Sequence, residues 1–425
     1  MSDLIDKQCD DQSLRHLATG RRDRARADSA MKIGIYNEPS GSIGGSEYVV
    51  SVAAHALSGH HEVEIVHHNP TLERGQLAAL SGLDLNRVSL RFVEREPRPD
   101  PRLPSGVTHL PDRYRAEARW HAHLSQPYDL FVNSTHAVPP FCHARTGVLI
   151  TLFPAHDRRI MWPWAPSAAA EERPWKARAQ RAGCAWLWKK RFGSYRHRLS
   201  ISEYSKMWTR RWWDIETSIL YPPVDIAFNE IPKANLVLSV GRFATYSHSK
   251  RQIDTMTAYR DMRARSLLQG WCCYSVGGLA ENSDDRHYFD EVCRLAAECG
   301  AHVTPNIRRE ELRTLFERAK IFWHAAGYGA GPDASPFQAE HFGIATVEAM
   351  AAGAVPVVYD HGGQAEIVEH GRSGFLWRTL EELQDYTVRL AGDERLRERM
   401  GAAARVRASR FSRETFVRNL LRLVE

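Results

Sequence analysis

EHFGIATVEAMAAGAVPVV, Glu340 to Val358, sets one glutamate beside a histidine and places a second, Glu348, eight positions on. On one continuous helix the two carboxylates would stand about 12 Å apart and be rotated by roughly 80°. Gly343 argues against that continuity, because glycine is a poor helix-interior residue. The better reading leaves Glu340 in a loop, starts a helix near Ile344 and follows it with the strand AVPVV. Glu348 then falls in the early turns of the helix. Amides at Gly343–Thr346 point into whatever cleft lies in front, an arrangement that attracts phosphate. Carboxylates accept several hydrogen bonds, so one could hold sugar hydroxyls and the other a ribose diol. A charged helix start packed on small residues fits the same spacing, and both readings stay open. Pro356 is out of place for a central strand.

Working outward, the pattern is strand and helix in alternation, which implies parallel sheets. KIGIY (Lys32–Tyr36), HEVEIVHHN, YDLFVNS and TGVLITLF read as strands of a first half, with YVVSVAAHAL as a helix. SILYPPVD closes that half, its Pro-Pro step serving as a linker. LVLSVGRF, CCYSVGG, AHVTPNI and IFWHA read as strands of a second half, separated by helices such as DRHYFDEVCRLAAECG. The 425 residues, 43% hydrophobic and 25% charged, suit two globular cores. The formal charge of +6 suits a phosphorylated ligand or an anionic surface. Seven cysteines without a CxxC pair argue against a structural zinc and fit a reducing compartment, so the expected localisation is cytoplasmic. No apolar run reaches the roughly 18 residues a membrane span needs. Residues 1–30, polar and charged, read as a disordered leader.

Further stretches carry candidate chemistry. In GSIGGSE, Gly44 and Gly45 sit between strand and helix, where backbone can approach a ligand closely; a plain turn fits as well. In SVGRFATYSHSKRQ, Arg242 follows a strand end and Lys250 opens the next helix, so the two cations could clamp a diphosphate, Arg as a planar fork and Lys as a point charge. His136, in NSTH, lies just past a strand end, and His341 neighbours Glu340. No HxH or HExxH spacing appears, so no metal site is expected. Residues 158–213 hold eight of the twelve tryptophans, among fourteen Arg or Lys and three Glu. That mixture suits an anionic bilayer interface; an insertion whose tryptophans pack on the domain fits too. No RNA-binding module motif is present, and no nucleic-acid partner is expected.

GRF…SHSKRQ, EHFGIATVEAMAAGAVPVV, GGQAEIVEHGRSGFLW and YPPVD, in this chain's layout, resemble the family 4 glycosyltransferases. Within that family the likeness is to the mannosyltransferases acting on lipid-linked oligosaccharides and their bacterial relatives. It covers residues 31–425 and is weaker between 90 and 215. The resemblance implies an α/β GT-B architecture, two facing Rossmann-like domains with a cleft between them. It sets an acceptor-side domain at 31–222, with 158–213 as a basic aromatic insertion. A nucleotide-sugar-binding domain follows at 223–409, and a terminal helix at 410–425 returns to the first domain. It implies a retaining transfer from a nucleoside-diphosphate sugar, GDP-mannose among them, to a glycan or lipid-linked acceptor in glycoconjugate synthesis, without cofactor or metal. The place of action would be the cytoplasm or the inner face of its membrane.

By the resemblance, Glu340 faces the donor sugar, with His136 as second catalytic candidate. Glu348 faces the ribose, Arg242 and Lys250 hold the diphosphate, and Gly44, Gly45, His341, Phe342, Gly343, Ile344 and Thr346 complete the donor site. One departure stands out. Where relatives often carry a histidine before the FP of ITLFP, this chain has Leu152, leaving His136 or His156 as substitutes. A sugar-nucleotide epimerase of similar fold and a non-catalytic sugar-nucleotide-binding protein remain alternatives.

Overall fold

The computed structural model describes residues 30–37, 44–95, 110–158, 174–245, 249–331 and 335–424. The expected leader, apart from Ala30, lies outside them, as do Trp162 and Trp164. The first half contains β1 (Lys32–Asn37), α1 (Gly45–Leu57), β2 (Glu62–His67), α2 (Arg74–Ser81), β3 (Val88–Phe92) and α3 (Leu110–Ser125). It continues with β4 (Leu130–Thr135), β5 (Thr146–Thr151), α4 (Pro174–Gly193), β6 (His197–Ser200), α5 (Glu203–Trp208) and β7 (Ser218–Ile219). These strands form one parallel sheet ordered β3-β2-β1-β4-β5-β6-β7.

The second half opens with β8 (Leu236–Val240), α6 (Gln252–Ala264), β9 (Cys272–Gly277), α7 (Ser283–Cys299), β10 (His302–Pro305), α8 (Arg309–Arg318) and β11 (Ile321–His324). α9 (Ile344–Ala351), β12 (Val355–Tyr359), α10 (Gln364–Ile367), β13 (Phe375–Trp377), α11 (Leu380–Gly392), α12 (Glu394–Ala408) and α13 (Arg413–Val424) complete it. Its parallel sheet is ordered β10-β9-β8-β11-β12-β13. Central strands such as β12, buried from Val355 to Val358, read as continuous apolar runs rather than alternating ones because both faces are covered. Both sheets reverse their strand order once, between β1 and β4 and between β8 and β11. Ligands of open α/β sheets lie at the carboxyl ends of strands beside such reversals.

The stretch 158–213 does not stand apart from the sheet. It supplies β6, paired to β5 with Ile150 opposite Leu199, and α5. HRLS is too short and too polar at its start to announce a strand. The described tryptophans of the stretch divide: Trp188, Trp208 and Trp213 are buried, whereas Trp175 and Trp186 are 67% and 58% exposed. Pro356 sits in β12 opposite Phe322 of β11, but pairing to β13 starts only at Val357. Its ring lies against Gly374, where a Cβ would come within 2.5 Å. The position that lacks an N–H therefore precedes the second ladder.

α13 returns to the first domain and packs on α1. Phe416 and Leu420 are buried there, and the Arg413 guanidinium donates to the Tyr48 hydroxyl at 3.1 Å and the Ser81 carbonyl at 3.3 Å.

Candidate functional site

The carboxyl ends of the two sheets face each other across a cleft of about 550 Å³. Gly44, Gly45, His136 and Leu152 line it from one side. Arg242, Lys250, His324, Glu340 and the backbone of 341–344 line it from the other. A Cβ on Gly45 would come 3.5 Å from Ile344 Cδ1, so the two domains touch at this point.

Loop 340–343 is shaped by its neighbours. Gly343 has φ 122°, a conformation closed to most L-residues, and a Cβ there would stand 2.7 Å from Gln364 Nε2. Gly363 donates its N–H to the Glu340 carbonyl at 2.7 Å. From the opposite domain, Ser202 Oγ donates to the His341 carbonyl at 2.5 Å, and the His341 ring stacks on Phe153, centroids 3.9 Å apart. With Gly343 as its N-cap, α9 begins at Ile344, as the sequence implied. Thr346 and Val347 return their amides to the Gly343 carbonyl.

The Glu340 carboxylate is tightly held. Lys250 Nζ lies 2.5 Å from Oε2, and His324 Nε2 lies 2.8 Å from the same oxygen. Burial alone would raise this carboxyl, but the Lys250 charge and the His324 hydrogen bond hold it well below its ordinary value. Burial likewise lowers His324, against the pull of Glu340, which leaves the imidazole neutral. Its Nδ1 accepts the Ala326 N–H at 3.4 Å, so Nε2 carries the proton and donates to the carboxylate. Lys250, expected to clamp the diphosphate together with Arg242, is ion-paired to Glu340 here, and Arg242 is the more exposed of the two.

His136 is half-buried at the end of β4. Burial pushes it down to about 4, with Arg242 adding to the effect and a hydrogen bond to the Phe153 backbone opposing it. At neutral pH it is an uncharged base or donor on the wall facing Glu340. His156, by contrast, is exposed and outside the cleft lining; its carbonyl accepts the Trp213 indole N–H at 3.0 Å. Leu152 lines the cleft.

Two expected donor residues do not line the cleft. Thr346 is fully buried, turned into the core two residues past Ile344. Glu348 lies a helical turn behind Ile344, within electrostatic reach of Arg309, Asp225 and Tyr48. Burial, opposed by Arg309 and reinforced by Asp225, pushes its carboxyl up to about 7.

The sequence reading missed three supports. His324 closes a strand in IFWHA, and that strand-end position was the available signal. Glu47, in GGSE, is 5% exposed and accepts from the Gly44 N–H at 2.8 Å, Ser46 Oγ at 2.9 Å and Asn37 Nδ2 at 3.0 Å, fixing the glycine pair. Asn306, φ 52°, accepts the Leu279 N–H at 2.9 Å and ties two cleft loops together. Among the described residues no group of three or more His, Cys, Asp or Glu could hold a metal ion.

Residues 224–407 match the family model described as glycosyl transferases group 1. The second half of this chain is a group 1 glycosyl transferase domain. A stretch of 219 residues, 47% of the chain, is 30% identical to the Mus musculus GDP-Man:Man(3)GlcNAc(2)-PP-Dol alpha-1,2-mannosyltransferase and covers 42% of that protein. The Dictyostelium discoideum protein of the same name is 26% identical over 227 residues, 49% of the chain and 42% of that protein. The alignments thus span less than half the length of these curated relatives. Among solved structures, Anabaena HepE in complex with UDP and glucose superposes with a TM-score of 0.62 at 17% identity, covering 93% of this chain and 99% of that one. WaaG, a glycosyltransferase involved in lipopolysaccharide biosynthesis, gives 0.59 at 14% identity, covering 92% and 99%. The glycosyl transferase domain therefore belongs to a GT-B architecture that extends over both halves. No helix among the described residues is long and apolar enough to cross a membrane.

Proposed function

We propose that this chain is a retaining glycosyltransferase that moves a mannosyl group from GDP-mannose to a lipid-linked glycan. The observation that supports it most is the Glu340 carboxylate, pinned on the cleft wall by Lys250 and the His324 imidazole just before the start of α9. In this reading the diphosphate lies against Arg242 and the first amides of α9, and the sugar lies against Glu340. The leaving group is a nucleoside diphosphate, already stable as an anion. Arg242, Lys250 and oriented amides favour the charge that develops on it as the glycosidic bond breaks. Glu340, ionised, can accept hydroxyl hydrogen bonds from the sugar and favour positive character at the anomeric carbon. His136, neutral and across the cleft, is placed on the acceptor side.

The GDP-mannose assignment draws on the names of the curated relatives, and the lipid-linked acceptor on the same source together with α4. That helix carries no acidic residue, and the Lys190 ammonium sits 4.7 Å over the exposed Trp186 ring, a combination suited to an anionic lipid surface. Binding of nucleotide sugars followed by thermal shift, then turnover with crude lipid extract, tests the proposal. GDP-mannose should stabilise the chain and yield a mannosylated lipid. A protein stabilised by no nucleoside diphosphate or nucleotide sugar would overturn it. Vesicle sedimentation checks the surface: binding should favour anionic over neutral lipid and fade with salt.

A further inference from the structure

We propose that His324 is a positioning residue that clamps one oxygen of Glu340 and so presents the other to the donor sugar, and that it keeps this hold when Lys250 turns to the diphosphate. The inference rests on the donor-site reading above.

His324 ends β11 and is 3% exposed. Both ring nitrogens are engaged, Nδ1 by the Ala326 amide and Nε2 by Glu340 Oε2. The ring therefore cannot rotate without losing two contacts. Lys250 converges on the same Oε2. Among the described residues no donor is found on Oε1, and Glu340 keeps 16% of its side chain exposed on the cleft wall. Oε1 is therefore the oxygen left for a ligand hydroxyl.

The two donors differ in what else they can do. Lys250 reaches Glu340 along a flexible stem that crosses Gly241, where a Cβ would stand 2.4 Å from Lys250 Cγ. Gly241 adjoins Arg242, so a diphosphate bound by Arg242 offers the ammonium a second anion within reach. A neutral imidazole has no comparable attraction to phosphate. His324 is the partner that stays, and it holds the carboxylate's rotation at the moment Lys250 is shared.

Calorimetry and steady-state kinetics on His324→Leu and His324→Gln test this, with GDP and GDP-mannose as probes. Leu removes the donor and keeps an apolar side chain in the buried site; Gln can place an N–H where Nε2 stood. Expected for His324→Leu are GDP affinity within about twofold of wild type, weaker GDP-mannose binding and kcat lowered about ten- to a hundredfold. The acid limb of its kcat/KM profile should move to higher pH, because the ionised carboxylate has lost a donor. His324→Gln should recover most of kcat and restore the acid limb. Unchanged turnover and an unmoved limb in His324→Leu would refute the role. So would equal defects in both variants that track a common loss of melting temperature. A wild-type protein that binds no GDP at all fails differently: it removes the donor-site reading, and this inference with it.

Discussion

Lys250→Met tests whether the buried ion pair organises the site. The side chains of Lys250 and Glu340 are 15% and 16% exposed. Removing one partner of such a pair strands the other, which typically costs about 3–5 kcal/mol. His324 remains as a donor to Glu340, so the expected loss is smaller, about 2–4 kcal/mol at pH 7.5. The double variant Lys250→Met/Glu340→Gln should recover about half of it, because no charge is then left buried. The pH dependence has a definite sign. In the wild type the Glu340 carboxyl is held below its ordinary 4.5, so the pair contributes stability above that pH and loses it as pH falls through the folded value. The gap between wild type and Lys250→Met should therefore be fully open at pH 7 and above and shrink mainly below about pH 4.5. Hydrogen exchange of amides in β11 and β12 reads the local stability directly. A loss below about 1 kcal/mol at pH 7.5, or a double variant no more stable than the single one, would show that the pair is incidental.

Arg242→Ala should weaken GDP by about ten- to a hundredfold in calorimetry, the effect of losing a charge-assisted contact; unchanged affinity would move the diphosphate elsewhere. Glu348→Gln should separate stability from binding. With its folded value raised from 4.5 to about 7, wild-type Glu348 costs stability as pH climbs through that interval, and the loss is complete above it. The variant should then be more stable by about 1–3 kcal/mol at pH 8 and equal to wild type near pH 4, with urea unfolding as the measure. Donor KM and kcat should stay near wild type, because Glu348 lies outside the cleft lining.

Much of the second domain was legible because its elements punctuate themselves. Gly343 stopped one helix from running through EHFGIATVE, and Gly300 ended another at ECG. The first domain was harder where burial is shared with charge. HRLS entered the sheet as β6 although only Leu199 and Ser200 are buried in it. Trp188 and Trp186, two positions apart on one helix, met opposite fates. A periodicity argument needs several apolar residues on one face, and α4 spends its aromatic residues on both. At the site, residue types and strand ends pointed to the wall of the cleft. They could not give the pairing. Arg242 and Lys250 both sat near a strand end in sequence, yet Arg242 is the more exposed of the two and Lys250 is ion-paired to Glu340.

Loop 340–343 is held from behind by Gly363 and Gln364 and from in front by Ser202 and Phe153, so its position depends on both domains at once. The Glu366 carboxylate extends the same logic. It accepts the Glu203 amide at 3.0 Å and so meets the amino-terminal end of α5 across the domain boundary. Any opening of the cleft that separates α5 from α10 breaks that contact and the His341–Phe153 stack together, and Glu340 loses the front support of its loop. His324, Lys250 and Gly363 all lie within the second domain and would move with Glu340. The carboxylate is thus aligned to its donors by one domain and to the facing wall by the other, which makes domain closure a condition for bringing Glu340 opposite His136.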